Sequence, residues 1–293
     1  MTPVAPTPDT APAKPSRAGR DLPAAIAVGV ALAAAAVVTL GWFHWGFVAI
    51  TALALALGAI EVNRAMSRIG MNAAIRPIVV GTFLIPLGSY YAAAHPGRGI
   101  SSNTLLLAML ALTVLVAMVW RLPGGPQGFV KDAAASVFIV GYLPLLGSSV
   151  ALMLAGDLGP QRIIAFLFCV IASDTGGYLF GVLFGRTPMA PTISPKKTWE
   201  GFAGSVIAGI AVGVLVATWL LKVDWWVGVV LGITMVAFGT AGDLIESMIK
   251  RDVGIKDMSS FLPGHGGIMD RLDSLLVAAP VAWLVMYLFV PGG

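Results

Sequence analysis

The sequence predicts an all-α, polytopic transmembrane helical bundle of about nine helices with its N-terminus in the cytoplasm, and three observations carry that prediction. Only 11% of the 293 residues are charged while 58% are hydrophobic, against about 25% charged in an ordinary soluble domain. Nine apolar runs are long enough to cross a bilayer core, which takes roughly 17–25 helical residues. If those runs alternate in direction, 15 of the 18 Lys and Arg residues fall on one side and only Arg98, Arg162 and Lys222 on the other. Cytoplasmic loops carry such an excess, and one miscounted helix in the middle would scramble it.

Taken in order, residues 1–21 are rich in Pro, Ala and Thr and carry Lys14, Arg17 and Arg20. They read as a disordered tail. The first apolar run, 22–42, is followed by further apolar runs rather than by a soluble domain, so it is expected to be retained and not cleaved as a signal peptide. The second, 45–62, is joined to it tightly around His44. Residues 63–75 place Arg64 and Arg68 four apart, which suits a short interfacial helix or an ordinary basic loop. The remaining runs fall at 76–94, 103–120, 133–155, 162–184, 200–221, 224–243 and 273–290. By content the chain divides into N-terminal transmembrane helices, 22–160, and a C-terminal catalytic transmembrane region, 161–293. The 35 glycines fit closely packed membrane helices and allow, without requiring, a homodimer. A single Cys169 excludes an intrachain disulfide. The excess of positive charge is small, and no nucleic-acid partner is expected.

Three stretches in the C-terminal region carry the chemistry. In SDTGGYLFGVLFG, 173–185, Asp174 lies about midway along an apolar helix. A carboxylate at membrane depth needs a cation, water or a hydrogen-bonding partner, so Asp174 is either a ligand for a metal or its water, or a structural hydrogen-bonding group. Gly177, Gly181 and Gly185 fall four apart and offer a smooth packing face. In SPKKTWEG, 194–201, Ser194 and Pro195 read as loop, and Thr198 is placed to cap a helix starting at Trp199. Lys196 and Lys197 then sit just before a helix N-terminus, where ammonium groups, free backbone N–H groups and the helix dipole can hold phosphate. The same pair also serves simply as topology-setting charge.

The third stretch, 242–274, is the densest. Asp243 and Glu246 are three apart on one helix face, as are Asp270 and Asp273 at the start of the next helix. Lys250, Arg251 and Lys256 lie between, followed by a Gly-rich turn with His265, Gly266 and Gly267. Carboxylates from two helix ends can converge on one divalent cation. Oxygen ligands with no Cys and one nearby His favour Mg²⁺ over Zn²⁺. The cations would neutralise phosphate oxygens, and the glycines would let backbone approach a ligand. His265 suits a catalytic or a structural role equally. A solute transporter, the competing class, would spread intramembrane charges through the N-terminal half, where few occur.

At this stretch the sequence resembles the phosphatidate cytidylyltransferase (CDP-diglyceride synthase) family. The signature positions are supplied by Ser247, Ile249, Lys250, Arg251, Lys256, Asp257, Ser259, Leu262, Pro263, His265, Gly266, Gly267, Ile268, Asp270, Arg271, Leu272 and Asp273. The resemblance covers roughly residues 165–280 and includes the two upstream stretches. It implies that CTP and phosphatidate are converted to CDP-diacylglycerol and pyrophosphate, in phospholipid biosynthesis at the bilayer. It implies that Asp243 and Asp270, helped by Glu246, Asp273 and Asp174, hold Mg²⁺. Ser194, Lys196, Lys197, Lys250, Arg251, Lys256 and Arg271 would grip the phosphates, and His265, Gly266 and Gly267 would shape the nucleotide loop. The alternative within reach is a CTP-dependent transferase or kinase acting on another membrane lipid. The expected location is a bacterial inner membrane with the site facing the cytoplasm.

Overall fold

In the computed structural model, residues 22–97, 99–259, 261 and 266–291 are described, with side chains from Ala27 onward. The expected tail, 1–21, and His265 lie outside the described residues. Among the described residues nine helices follow one another: α1 Leu22–Trp42, α2 His44–Ser67, α3 Ile75–Ala94, α4 Ser102–Arg121, α5 Phe129–Ala155, α6 Gly159–Phe184, α7 Trp199–Leu220, α8 Trp225–Asp252 and α9 Met269–Phe289. Helices α2 to α9 are each long and apolar enough to cross a membrane. Large apolar side chains such as Val37, Leu107 and Val182 stay exposed on their outer faces, as a lipid-facing surface requires. The all-α polytopic architecture is as the composition and run lengths predict.

Several boundaries differ, each for a physical reason. Helix α2 runs on to Ser67, so Arg64 belongs to it and 63–75 is neither a separate helix nor wholly a loop. The turn beyond, 68–74, is tied to the start of α5. There the Asn72 N–H donates to Asp132 Oδ1 at 2.8 Å and Lys131 Nζ to the Ile69 carbonyl at 2.8 Å. Helix α8 continues nine residues past the expected end at 243, to Asp252. Its added charges pair within the helix, Lys250 with Glu246 one turn earlier, which removes the cost of extending a charged segment. Helix α9 begins at Met269, so Asp270 and Asp273 lie in its first two turns. Ser194 and Pro195, expected in a loop, lie in a strand: β1 Pro188–Ala190 and β2 Ser194–Thr198 form a short antiparallel hairpin between α6 and α7. Within α5, a π turn over Gly141–Leu145 contains Pro144, whose missing N–H cannot support a regular helical ladder.

Glycine sets the packing of α6, α7 and α8. A Cβ on Gly176 would lie 2.6 Å from the Gly204 carbonyl oxygen, and one on Gly201 2.9 Å from the Gly177 carbonyl oxygen. Helix α7 meets α8 through Gly209 and Gly213 against Gly232 and Gly228. The Ser205 hydroxyl donates to the Ser173 carbonyl at 2.7 Å across the α6–α7 contact. These glycine faces are thus consumed inside the chain. Two apolar clusters fill the rest, one around Met153, Phe166, Leu231 and Met235, the other around Leu55, Ile78, Leu143 and Met269. Both draw on residues from either side of position 160.

Candidate functional site

The C-terminal part of α2, the 184–199 segment, the C-terminus of α8 and the N-terminus of α9 meet at one end of the bundle, through Glu61 with Ile268 and Met269 and through Arg251 with Ile193. Local bonds fix the 184–199 segment. The Thr198 hydroxyl caps α7 by accepting from the Gly201 N–H at 3.1 Å, as the sequence predicts. Glu200, in the first turn of α7, accepts from the Arg186 and Thr187 N–H groups, both at 3.1 Å. Arg251, near the end of α8, donates from Nε to the Ile193 carbonyl at 3.3 Å, clamping the hairpin tip onto that helix.

Beneath the hairpin lies a cleft of about 320 Å³ between α6, α7 and α8. Asp174, Lys196, Lys197 and Asp243 line it, along with Tyr178 and Thr240. Its floor is the glycine-rich α6–α7 contact, where small residues leave space that side chains would otherwise fill. Lys197 Nζ lies 2.6 Å from Asp243 Oδ2, and Ser247 Oγ donates to Asp243 Oδ1 at 3.4 Å. Asp273, on α9, accepts from the Ser274 N–H at Oδ1, at 2.7 Å. The close approach of α9 depends on Gly242, where a Cβ would lie 3.1 Å from Ser274 Cα.

A second cluster sits one turn further along α8. The side chain of Glu246 is fully buried, and its ion-pair partner is Lys250. Lys250 Nζ also donates to Asp270 Oδ1 at 2.9 Å. Asp270 Oδ2 accepts from the Met258 N–H at 3.0 Å and the Gly267 N–H at 2.8 Å. Asp270 therefore folds the loop before α9, and Lys250 is held between two carboxylates instead of facing the cleft.

Of the five carboxylates expected to act together, Asp174 and Asp243 line the cleft, Glu246 and Asp270 pair with Lys250, and Asp273 accepts from the Ser274 N–H without lining the cleft. Lys256, Arg251 and Arg271 are exposed. Gly266, with φ of +84°, turns the chain over Asp270 in a conformation that suits glycine. Among the described residues, no group of three or more His, Cys, Asp and Glu side chains converges tightly enough to ligate a metal by itself. Mg²⁺ is commonly bound through one or two carboxylates, with phosphate and water completing its shell. Asp174 and Asp243 facing one cleft fit that donor set.

One polar residue of this end was missed in the sequence. Glu61 of α2 is buried, and its carboxylate accepts from Ser259 Oγ at 2.5 Å and from the Ile268 and Met269 N–H groups at 3.0 and 2.8 Å. Its partners lie about 200 residues away, so no local pattern could have disclosed it.

Residues 23–289 match the model of the cytidylyltransferase family. A phosphatidate cytidylyltransferase of Mycobacterium bovis is 40% identical over 291 residues, covering 93% of this chain and 90% of that protein. The Mycobacterium leprae phosphatidate cytidylyltransferase is 40% identical over 289 residues, covering 93% and 89%. The phosphatidate cytidylyltransferase 5, chloroplastic, of Arabidopsis thaliana is 31% identical over 280 residues, covering 87% and 69%.

Proposed function

This chain belongs to the cytidylyltransferase family, and from that premise we infer that it is a nucleotidyltransferase converting CTP and phosphatidate to CDP-diacylglycerol and pyrophosphate. The observation that carries the reading is the cleft in which Lys196 and Lys197 face Asp174 and Asp243, at the end of a membrane bundle where a water-soluble nucleotide and a lipid headgroup can both arrive. The lipid phosphate brings its own nucleophile. One of its oxygens attacks the α-phosphorus of CTP, a new P–O–P linkage forms, the bond to the β-phosphate bridge breaks, and pyrophosphate leaves. No strong base is required. The protein must align two anions and neutralise their charge.

Lys196 and Lys197, presented by β2 next to the N-terminus of α7, are assigned to the triphosphate. Lys256, Arg251 and Arg271 are assigned to phosphates arriving from the membrane surface, and Ser194 to the hairpin wall of the nucleotide site. Asp243 and Asp174 would hold Mg²⁺, which when bound supplies charge neutralisation at the triphosphate, with Asp273 helping from the start of α9. Lys250, Glu246 and Asp270 keep α8 and α9 in register beside it, with Gly266 and Gly267 shaping the intervening loop. His265 keeps the role that the resemblance implies, helping to form the nucleotide site. The cleft is assigned to the cytoplasmic side of a bacterial inner membrane, supported by the 15-to-3 distribution of basic residues. Since the α6–α8 glycine faces are used within the chain, a homodimer would have to be built on other surfaces.

The test is product analysis with purified protein, CTP and phosphatidate in mixed micelles. CDP-diacylglycerol and pyrophosphate should form in equal amounts. Release of CDP with a phosphorylated lipid, or turnover with polyprenol acceptors but not phosphatidate, would replace this reading with the kinase or the other-lipid alternative.

A further inference from the structure

We propose that Glu61 is a positioning residue for the catalytic end of the bundle, a carboxylate lent by α2 to fix the start of α9 and thereby the aim of Asp270 and Asp273. The inference rests on the reaction inferred above, but its geometry is independent of it.

The first N–H groups of a helix need acceptors. At α9 the N-cap position is Ile268, whose side chain can accept nothing. Glu61 takes over that role, accepting from both the Ile268 and Met269 N–H groups and from Ser259 Oγ. Among the described residues no Lys or Arg forms an ion pair with Glu61, so its buried charge is held by these three donors and the helix dipole. Asp270 holds the complementary set, Met258 and Gly267. The loop between α8 and α9 is therefore pinned from two sides, one of them supplied by the N-terminal half. Gly267 is shaped to this contact: a Cβ there would lie 2.7 and 3.0 Å from the two Glu61 oxygens.

Glutamine at this position exposes the dependence. A side-chain amide has one accepting oxygen and one donating nitrogen. Ile268 and Met269 present their N–H groups to different oxygens of Glu61, so either amide orientation sets a donor against a donor.

The experiment measures steady-state kinetics, thermal unfolding and amide exchange over 259–270 for the full chain and for Glu61→Gln. The expected result is kcat lower by about tenfold, equivalent to about 1.4 kcal/mol in the barrier. KM for CTP should stay within about twofold, and exchange at Ile268 and Met269 should be faster. Glu61→Asp, which keeps the charge and both acceptors, should recover part of kcat. An unchanged kcat, unchanged exchange, or a loss of activity wholly explained by loss of folded protein would overturn the proposal. If Glu61→Gln does not accumulate, Ser259→Ala and Glu61→Asp carry the same readouts, with kcat about threefold lower in each, and wild-type kcat in both overturns it. If the unsubstituted protein turns over no CTP with phosphatidate, the functional reading fails, and the exchange rates alone decide the role of Glu61.

Discussion

Replacing Lys250 with Met should destabilise the fold far more than removal of an ordinary membrane-surface lysine. The Lys250 side chain is 15% exposed and bridges Glu246, 0% exposed, and Asp270, 8% exposed. Asp270 retains two backbone donors when the ammonium goes. Glu246 retains none among the described residues, where neither of its oxygens has a hydrogen-bond donor with conventional geometry. Removing one member of a buried ion pair costs about 3–5 kcal/mol, and here the cost falls mainly on Glu246. Adding Glu246→Gln to Lys250→Met neutralises the stranded charge and should return about 2 kcal/mol. Reversible unfolding in mixed micelles, followed by the fluorescence of the 8 tryptophans, measures both. A single variant within about 0.5 kcal/mol of the parent, or a double variant no more stable than the single, would refute the reasoning and return Lys250 to the phosphate-binding role its sequence context suggests.

Three further predictions follow from the same geometry. Lys197→Met should raise KM for CTP at least about tenfold while costing little stability, because the Lys197–Asp243 pair is open to the cleft and exposed pairs contribute about 1 kcal/mol or less; unchanged KM would remove Lys197 from the nucleotide site. Thr198→Ala should cost about 0.5–2 kcal/mol through loss of the α7 cap, and thermal unfolding compared with Thr198→Ser would check it. With Cys169 replaced by Ala, a cysteine placed at Lys256 should react with a membrane-impermeant maleimide only from the cytoplasmic side, and one placed at Arg98 only from the opposite side. The reverse pattern would invert the proposed orientation.

The helices were legible because lipid leaves a chain few options: backbone groups must pair within a segment, so long apolar runs become helices. Their ends were less legible where tertiary pairing offsets charge. The apolar run of α8 stops at 243, and Lys250 and Arg251 read as boundary charge until Lys250 is seen between Glu246 and Asp270. The cap at Thr198 was readable, since it depends on residues three apart. The hairpin before it was not, because Pro191 and Pro195 flank its turn and resemble loop punctuation. Among the acidic residues, sequence gave the set but not the partition. Asp243 and Asp270 look alike in the sequence, each the first of two acidic residues three apart, yet one lines the cleft and the other binds Lys250 and two backbone N–H groups. That partition is decided by how α6 and α9 approach α8, through contacts at Gly242 and across the α6–α7 glycines.

Opposite charges meet in the cleft under the hairpin, with Asp243 paired to Lys197. Replacing Asp243 with Asn and measuring CDP-diacylglycerol formation from CTP and phosphatidate, alongside thermal unfolding, tests it most directly. Activity should fall below about 1% of the parent, a loss of more than about 2.7 kcal/mol in transition-state stabilisation, with unfolding nearly unchanged because Asp243 is only partly buried. Parental turnover in Asp243→Asn would contradict it.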